Sequence, residues 1–233
     1  VDCKLLFRTN DDQLMGEFTP DRTWALMGEH WPELFAPLPE VANPDEVAPR
    51  MAQMCPGCGH RSAFQAIRGA LEDDTITVAD IGCHSLGIFP PFSMGEILLC
   101  MGHSTGTAAG LSINNDRKVI AFLGDATLFH AGWPGITNAL INEHDITLIL
   151  MENGTTAMTG HQPRQGTGEI GEKIPIRGIF EALGVKFIKE VDTYNQAKLT
   201  ETVKEAMAFK GFALVIAKHP CMLKFVRTQR SKV

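Results

Sequence analysis

"KVIAFLGDAT" at residues 118–127 and "DITLILMENGTT" at residues 145–156 decide the fold. Each begins as an unbroken apolar run and ends in a polar cluster: Gly124–Asp125–Ala126 in the first, Glu152–Asn153 in the second. Strands that are apolar on both faces belong in a parallel sheet covered by helices on both sides. Asp125 and Asn153 stand 28 residues apart, the length of one strand–helix–strand unit. The spacing predicts neighbouring parallel strands whose carboxyl ends, where ligands sit in open α/β sheets, bring the two side chains together.

Outward from this pair the chain alternates. "RSAFQAIRGALED" predicts a helix with Phe64, Ile67 and Leu71 on one face, and "TITVADIG" a strand. "EILLCMGHSTGTAAGLSI" reads as a closely packed Gly/Ala-rich helix, followed by the strand "KVIAFLG". "GWPGITNALINEH" reads as a helix before the strand "DITLILMEN". Then follow "RGIFEALG" (helix), "VKFIKEV" (strand), "NQAKLTETVKEAMAF" (helix) and "FALVIAKH" (strand). With the strands read as apolar throughout, the expected class is α/β, a doubly wound, mostly parallel sheet spanning residues 55–225. Residues 1–54 are proline-rich and read as an N-terminal arm or linker. In it Thr19 caps a short helix that opens on Pro20 and spaces Trp24, Met27 and Trp31 at helical intervals. The later prolines of that arm, Pro32 to Pro49, predict an extended strap, either on its own domain or on a partner subunit. Residues 226–233 read as a solvated basic tail.

The totals set limits. At 233 residues there is length for one domain with a full core. The net charge of −6 argues against nucleic acid as partner. No apolar run reaches the roughly 18–20 residues of a membrane span. No signal peptide is visible, and the initial valine suggests a fragment or processed chain. Six cysteines are too sparse for a disulfide scaffold and point to metal or redox chemistry in a reducing compartment, hence the cytoplasm.

The strand ends suit a diphosphate with magnesium. Mg²⁺ prefers oxygen ligands and binds through a carboxylate plus substrate phosphates. Asp125 supplies the charge, Asn153 an amide oxygen, and the Thr155 carbonyl a third ligand. Gly124 and Ala126 let a diphosphate approach the backbone, and the following helix offers N–H groups. The plain alternative is an ordinary strand-end Asp and a turn Asn. The pattern resembles the thiamine diphosphate fingerprint, a Gly-Asp-Gly followed after roughly 25–30 residues by Asn. It departs from it at Ala126, in place of the last glycine, and at Glu152, in place of the first of two asparagines.

A second ligand set lies in "MCPGCGHR", "DIGCHS" and "KHPCML": Cys55, Cys58, Cys83 and Cys221, each at an element boundary. Four thiolates suit a [4Fe–4S] cluster or zinc equally well by ligand type. A Cys-x-x-Cys redox pair beside unrelated cysteines is the simpler alternative.

Taken together, Cys55–Gly59, Ile81–Cys83, Gly124–Asp125, Thr159–Gln162 and Pro220–Cys221 resemble, in order, the thiamine-diphosphate-binding subunit or domain of the 2-oxoacid:ferredoxin oxidoreductases. "CPGCGHR", "GDATLFHAG" and "TTAMTGHQP" look most like the indolepyruvate type, which acts on aryl pyruvates. The likeness covers about residues 54–225. It implies the pyrophosphate-binding half of the thiamine diphosphate fold. It also implies [4Fe–4S] ligation by Cys55, Cys58, Cys83 and Cys221, and Mg²⁺ held by Asp125, Asn153 and Thr155. Cofactor contacts would come from Ile81, Gly82, Cys83, His84, Met101, Gly102, Gly124, Asp125, Ala126, Thr127, Asn153, Thr155, Ala157 and Met158. The implied reaction is oxidative decarboxylation of a 2-oxoacid to an acyl-CoA in anaerobic metabolism. Electrons would pass to ferredoxin or to an NAD-linked acceptor subunit, with coenzyme A as acyl acceptor. Gly160 stands where relatives using 2-oxoglutarate carry lysine, so a dicarboxylate substrate is not expected. The glutamate that activates the aminopyrimidine would come from a partner subunit carrying the pyrimidine-binding domain, since one sheet has no room for a second domain.

The catalytic residue is otherwise unassigned. His84 is a candidate, facing the thiazolium or substrate, or else a hydrogen bonder behind a ligand. His130 and His161 read as structural loop residues. His103 reads as a core contact and Cys100 as a small buried hydrophobe on the Gly/Ala-rich helix. Cys3 reads as incidental. Met94, Met101, Met151 and Met158 read as core fillers, with a substrate-lining role open to Met158. Two rival readings stand beside the oxidoreductase. A non-redox thiamine-dependent decarboxylase leaves the cysteines without a task. A zinc-stapled assembly module leaves the Asp125/Asn153 spacing unexplained.

Overall fold

The computed structural model describes residues 10, 17–38 and 51–230. Cys3, the prolines from Pro39 to Pro49 and the last three residues lie outside them. The chain divides into two units, Val1–Arg50 and Met51–Val233.

In the first unit, helix α1 spans Pro20–His30, and the Thr19 side chain accepts a hydrogen bond from Arg22 N, as the capping sequence predicts. Its buried residue is Leu26 rather than the Trp24–Met27–Trp31 row. Trp24 instead meets Phe35 edge-on with ring centroids 4.9 Å apart, and its Nε1 donates to the Ala36 carbonyl. Residues 32–35 therefore form a turn that folds back on the helix rather than an extended arm. The rest of the expected strap lies outside the described residues.

The second unit is a five-stranded parallel sheet in the order β1-β2-β3-β5-β4. The strands are β1 Ile76–Val78, β2 Val119–Gly124, β3 Thr147–Glu152, β4 Phe187–Asp192 and β5 Ala213–Lys218. Side chains alternate between two faces, as strand geometry requires. Ile120, Phe122, Ile149, Met151 and Val215 pack under helices α2 (Gly59–Arg68) and α6 (Gln196–Ala208). Ala121, Leu123, Leu148, Leu150 and Leu214 pack under α3 (Ser104–Leu111), α4 (Trp133–Ile141) and α5 (Ile176–Ala182). Both faces are covered, which is why β2, β3 and β5 are apolar along their length. The edge strand β4 departs from that pattern: it reads "FIKEVD" and is buried only at Val191. On the second face α3 and α4 approach so closely that a Cβ on Gly135 would lie 2.8 Å from Gly106 N, which accounts for the glycines in both helices.

Three sequence expectations are corrected. The Gly/Ala-rich helix begins at Ser104, not at Glu96. Gly95 and Gly102 take positive φ (110° and 92°), Ile97 bridges to Val78, and the Asp80 carboxylate accepts from Ser104 N at the helix start. Cys100 therefore sits in a turn and is exposed. His103 bonds Leu99 N and Thr107 Oγ1 in the same region. Helix α2 stops at its C-cap Gly69, so Leu71 packs on the core from the loop beyond. The basic C-terminal stretch is helical: α7 runs over Met222–Arg230.

A candidate site at the carboxyl edge of the sheet

Strands β2 and β3 are paired with Gly124 opposite Met151, so Asp125 and Glu152 leave the sheet side by side, and Asn153, 28 residues from Asp125, meets it one position further on, as the spacing predicts. Asp125 is 2% exposed. Its Oδ2 accepts from Asn153 N (3.0 Å) and Gly154 N (2.8 Å) and lies 2.6 Å from Arg164 Nη2. Its Oδ1 accepts from Ala126 N at 2.8 Å. Burial pushes this carboxyl up, while the Arg164 guanidinium and the Gly154 N–H favour the charged form. Asn153 Oδ1 accepts from Thr155 N, and Asn153 Nδ2 donates to His60 Nε2. The loop around Asn153 is thus shaped by its own hydrogen bonds.

A cleft lies over these strand ends. The residues expected at the cofactor line it: Ile81, Gly82, Cys83, His84, Met101, Gly124, Asp125, Ala126, Thr127, Asn153, Thr155, Ala157 and Met158. Gly102 is the exception, its N–H donating to Asp80 Oδ1. Asp80, which sequence reasoning missed, holds Ile81 N and Ser104 N as well and so ties the two loops that flank the cleft. The helix expected after Gly124 is a composite. One α-turn, Asp125–Thr127, runs through a π-type turn, Leu128–Gly132, into α4. Such π-turns are common at functional sites.

Two buried histidines stand in the cleft. His60 and His84 have ring centroids 6.0 Å apart. Burial pushes the His60 imidazole down to about 4; burial and then the neighbouring His60 push His84 down to about 3. Both are neutral at pH 7. His84 Nε2 is buried without a hydrogen-bond partner. A Cβ on Gly82 or Gly124 would lie 2.7 or 2.8 Å from the His84 ring, so those glycines make the room for it. The donor set fits a metal–diphosphate group: a carboxylate, an amide oxygen, a backbone carbonyl at buried Thr155, and an unpartnered polar atom facing the space. His130 is exposed in the π-turn, and His161, in the hairpin closed by the Thr156–Gln162 bridge, adopts φ 64°. Met94 and Met151 are buried as expected, but Met158 is 51% exposed and lies at the mouth of the cleft rather than in the core.

Behind the cleft is a second cavity of about 230 Å³. Cys55, Cys58, Cys83 and Cys221 all line it, with apolar walls from Met54, Leu86, Met222 and Leu223. Three of the four thiols precede or open a helical turn: Cys58 caps α2, Cys83 opens the 3₁₀ turn Cys83–Ile88, and Cys221 precedes α7. The thiols are free. Burial, reinforced by Cys58, Cys221 and Cys55, pushes the Cys83 thiol up to about 11, and burial pushes Cys58 up too. Among the described residues no group of three His, Cys, Asp or Glu side chains stands as a metal site. By donor type, four thiols suit iron–sulfur or zinc chemistry once deprotonated. Tyr194, the single tyrosine, anchors this wall: its hydroxyl donates to the Gly57 carbonyl at 2.6 Å, and its ring stacks on His219 at 3.8 Å. Its position 137 residues from Gly57 gives no sequence signal for this role.

A parallel sheet whose carboxyl edge carries an acid-plus-amide pair and a lined cleft is the architecture of a cofactor-binding half-domain. The chain belongs to the thiamine pyrophosphate enzymes: the family described as "Thiamine pyrophosphate enzyme, C-terminal TPP binding domain" matches residues 80–217. It is similar to the indolepyruvate oxidoreductase subunit IorA of Methanothermobacter thermautotrophicus, 41% identical over 189 residues, which are 76% of this chain and 31% of the relative. The IorA subunit of Archaeoglobus fulgidus is 40% identical over 189 residues, 78% of this chain and 30% of the relative. These names agree with the family resemblance read from the five motifs. The chain spans about a third of the length of these curated relatives. Among solved structures, the 2-oxoglutarate:ferredoxin oxidoreductase from Magnetococcus marinus shares the fold, with a TM-score of 0.67 at 19% identity over 76% of this chain and 66% of that one.

Proposed function

We propose that this chain is the thiamine diphosphate- and [4Fe–4S]-binding part of a 2-oxoacid oxidoreductase. The enzyme would oxidatively decarboxylate an aryl or monocarboxylic 2-oxoacid to an acyl-CoA and pass electrons to ferredoxin or a linked acceptor. One observation carries this reading: the cofactor cleft and the thiol cavity share walls. His60, Cys83, Asn153, Ala157 and Met158 line both. Cys221 N also donates to the Asn153 carbonyl at 3.0 Å, joining a cluster thiol to the metal loop through one backbone bond. A single layer of side chains would separate electron donor from acceptor. A non-redox decarboxylase gives that arrangement no use.

Asp125, Asn153 Oδ1 and the Thr155 carbonyl would hold Mg²⁺ against the diphosphate. Thiamine diphosphate, when bound, supplies the nucleophilic carbon and the electron sink for loss of CO₂, and the cluster supplies a one-electron exit. The chain's own residues bind, orient and exclude water. Neutral His84 offers its free Nε2 to the bound group as a hydrogen-bond partner without adding charge. Met158 and Met101 wall the cleft with apolar surface. Gly160 brings no cation toward a second carboxylate, which favours a monocarboxylic substrate.

The cleft encloses about 50 Å³. Small-molecule sites usually enclose about 300 Å³ or more. A second surface must therefore complete it, and the proposed partner subunit would bring the pyrimidine-binding domain, its glutamate and the entry for coenzyme A. No helix among the described residues is long and apolar enough to cross a membrane. Free thiols suit a reducing cytoplasm.

The test is iron, acid-labile sulfide, zinc and thiamine diphosphate per chain on anaerobically purified protein. About four iron and four sulfide with bound thiamine diphosphate is the expected result. Zinc alone makes the chain a stapled module, and cofactor without iron makes it a non-redox thiamine protein.

A further inference from the structure

The carboxylates at the ends of β2 and β3 share one buried cation that the fingerprint reading does not use. Arg164 is 2% exposed. Its Nη2 lies 2.6 Å from Asp125 Oδ2 and 3.3 Å from Glu152 Oε1. Its Nε and Nη1 are buried without hydrogen-bond partners. The guanidinium rests 5.9 Å from the Phe129 ring centroid, in space left by Gly166, whose Cβ would lie 1.9 Å from Nη1. A guanidinium this buried, with two idle donor atoms, stays only because carboxylates hold it. On the outer side Glu152 Oε2 lies 3.9 Å from half-exposed Lys218, which also bonds Glu190. That pair faces solvent and contributes little.

The charge balance is the informative part. Glu152 adds a negative charge beside Asp125, one residue beyond the paired Gly124 and Met151. Arg164 cancels it. The three groups together carry −1, the charge Asp125 would carry next to a neutral asparagine at position 152. Two uncompensated carboxylates would repel the diphosphate, and an unpaired guanidinium would compete with the metal for Asp125.

We propose that Arg164 is a positioning residue that neutralises Glu152 and fixes Asp125 Oδ2 from behind, so that residues 152 and 164 act as one exchangeable charge pair supporting the metal site. This rests on the reading of Asp125 as a magnesium ligand. Arg164 does not line the cleft, so it acts through Asp125 and not on the cofactor.

The test is calorimetric binding of thiamine diphosphate, titrated at several Mg²⁺ concentrations, to the enzyme assembled with its pyrimidine-binding partner subunit and carrying the parent chain, Arg164→Gln, Glu152→Asn or the double variant. Outer-shell partners of a metal typically control about 10–100-fold in affinity. Arg164→Gln is expected to weaken cofactor binding by about that factor and to raise the Mg²⁺ concentration needed for half-saturation. The double variant is expected to return both to within a few-fold of the parent. A purely structural Arg164 would give no such rescue. Should Arg164→Gln fail to fold, the double variant still decides, because charge exchange requires it to fold and bind. A double variant that binds no better than Arg164→Gln, or does not fold, overturns the proposal. So does an unchanged Arg164→Gln. An assembled parent enzyme that binds no thiamine diphosphate instead overturns the magnesium-site reading itself, which separates the two failures.

Discussion

The cofactor cleft and the thiol cavity share a wall yet are built by opposite means. The cleft sits on the ends of adjacent strands, and hydrogen bonds from Asn153 N, Gly154 N and Ala126 N hold its carboxylate in place. The thiol cavity draws its cysteines from three loops far apart in sequence, and its walls are largely apolar. Burial disfavours ionisation of Cys58 and Cys83, the reverse of what a metal ligand requires. The first site is organised by the sheet before anything binds. The second, occupied as proposed, would need its ligand to make thiolates of its thiols, so its order would follow occupancy.

That contrast can be broken by experiment. The largest effect is expected from Cys221→Ser: iron and sulfide per chain should fall to near zero, while thiamine diphosphate binding in calorimetry persists. Joint loss of both would show that the cleft depends on the cluster. Asp125→Asn should do the converse. Since even outer-shell partners of a metal control about 10–100-fold, loss of this ligand should weaken Mg²⁺-dependent thiamine diphosphate binding by at least about 100-fold, with iron content unchanged. Chelation with EDTA should release thiamine diphosphate on gel filtration and leave the cluster's visible absorbance intact; a parallel loss of absorbance would contradict separate sites. The smallest effect is expected from Tyr194→Phe. It removes one hydrogen bond to the Gly57 carbonyl, about 1 kcal/mol, and should lower Tm by about 2–4 °C. If the cavity is ordered by its occupant, that loss should be larger in iron-free than in iron-loaded protein.

Much of this was legible in the sequence. The apolar runs and their spacing placed β2, β3 and β5. What was illegible has particular causes. "EILLCMGHSTGTAAGLSI" is apolar enough to read as helix, but the positive φ of Gly102 and the pull of Asp80 on two loops delay the helix to Ser104. Met158 reads as either core or cleft lining because apolar character alone does not reveal which apolar residues face an opening. His60 was unremarked as a residue of the "CPGCGHR" segment, although it lines both cavities.

The sequence by itself determined the class of sheet, the strand ends that carry Asp125 and Asn153, and the identity of the four thiols. These follow from periodicity, spacing and residue chemistry, all of which are local. The tertiary structure alone decided that Arg164 answers Glu152, that Tyr194 holds the Gly57 loop, and that a shared wall joins cleft and cavity. Those contacts depend on side-chain direction and on packing across as many as 137 residues, and neither is written in the order of the chain.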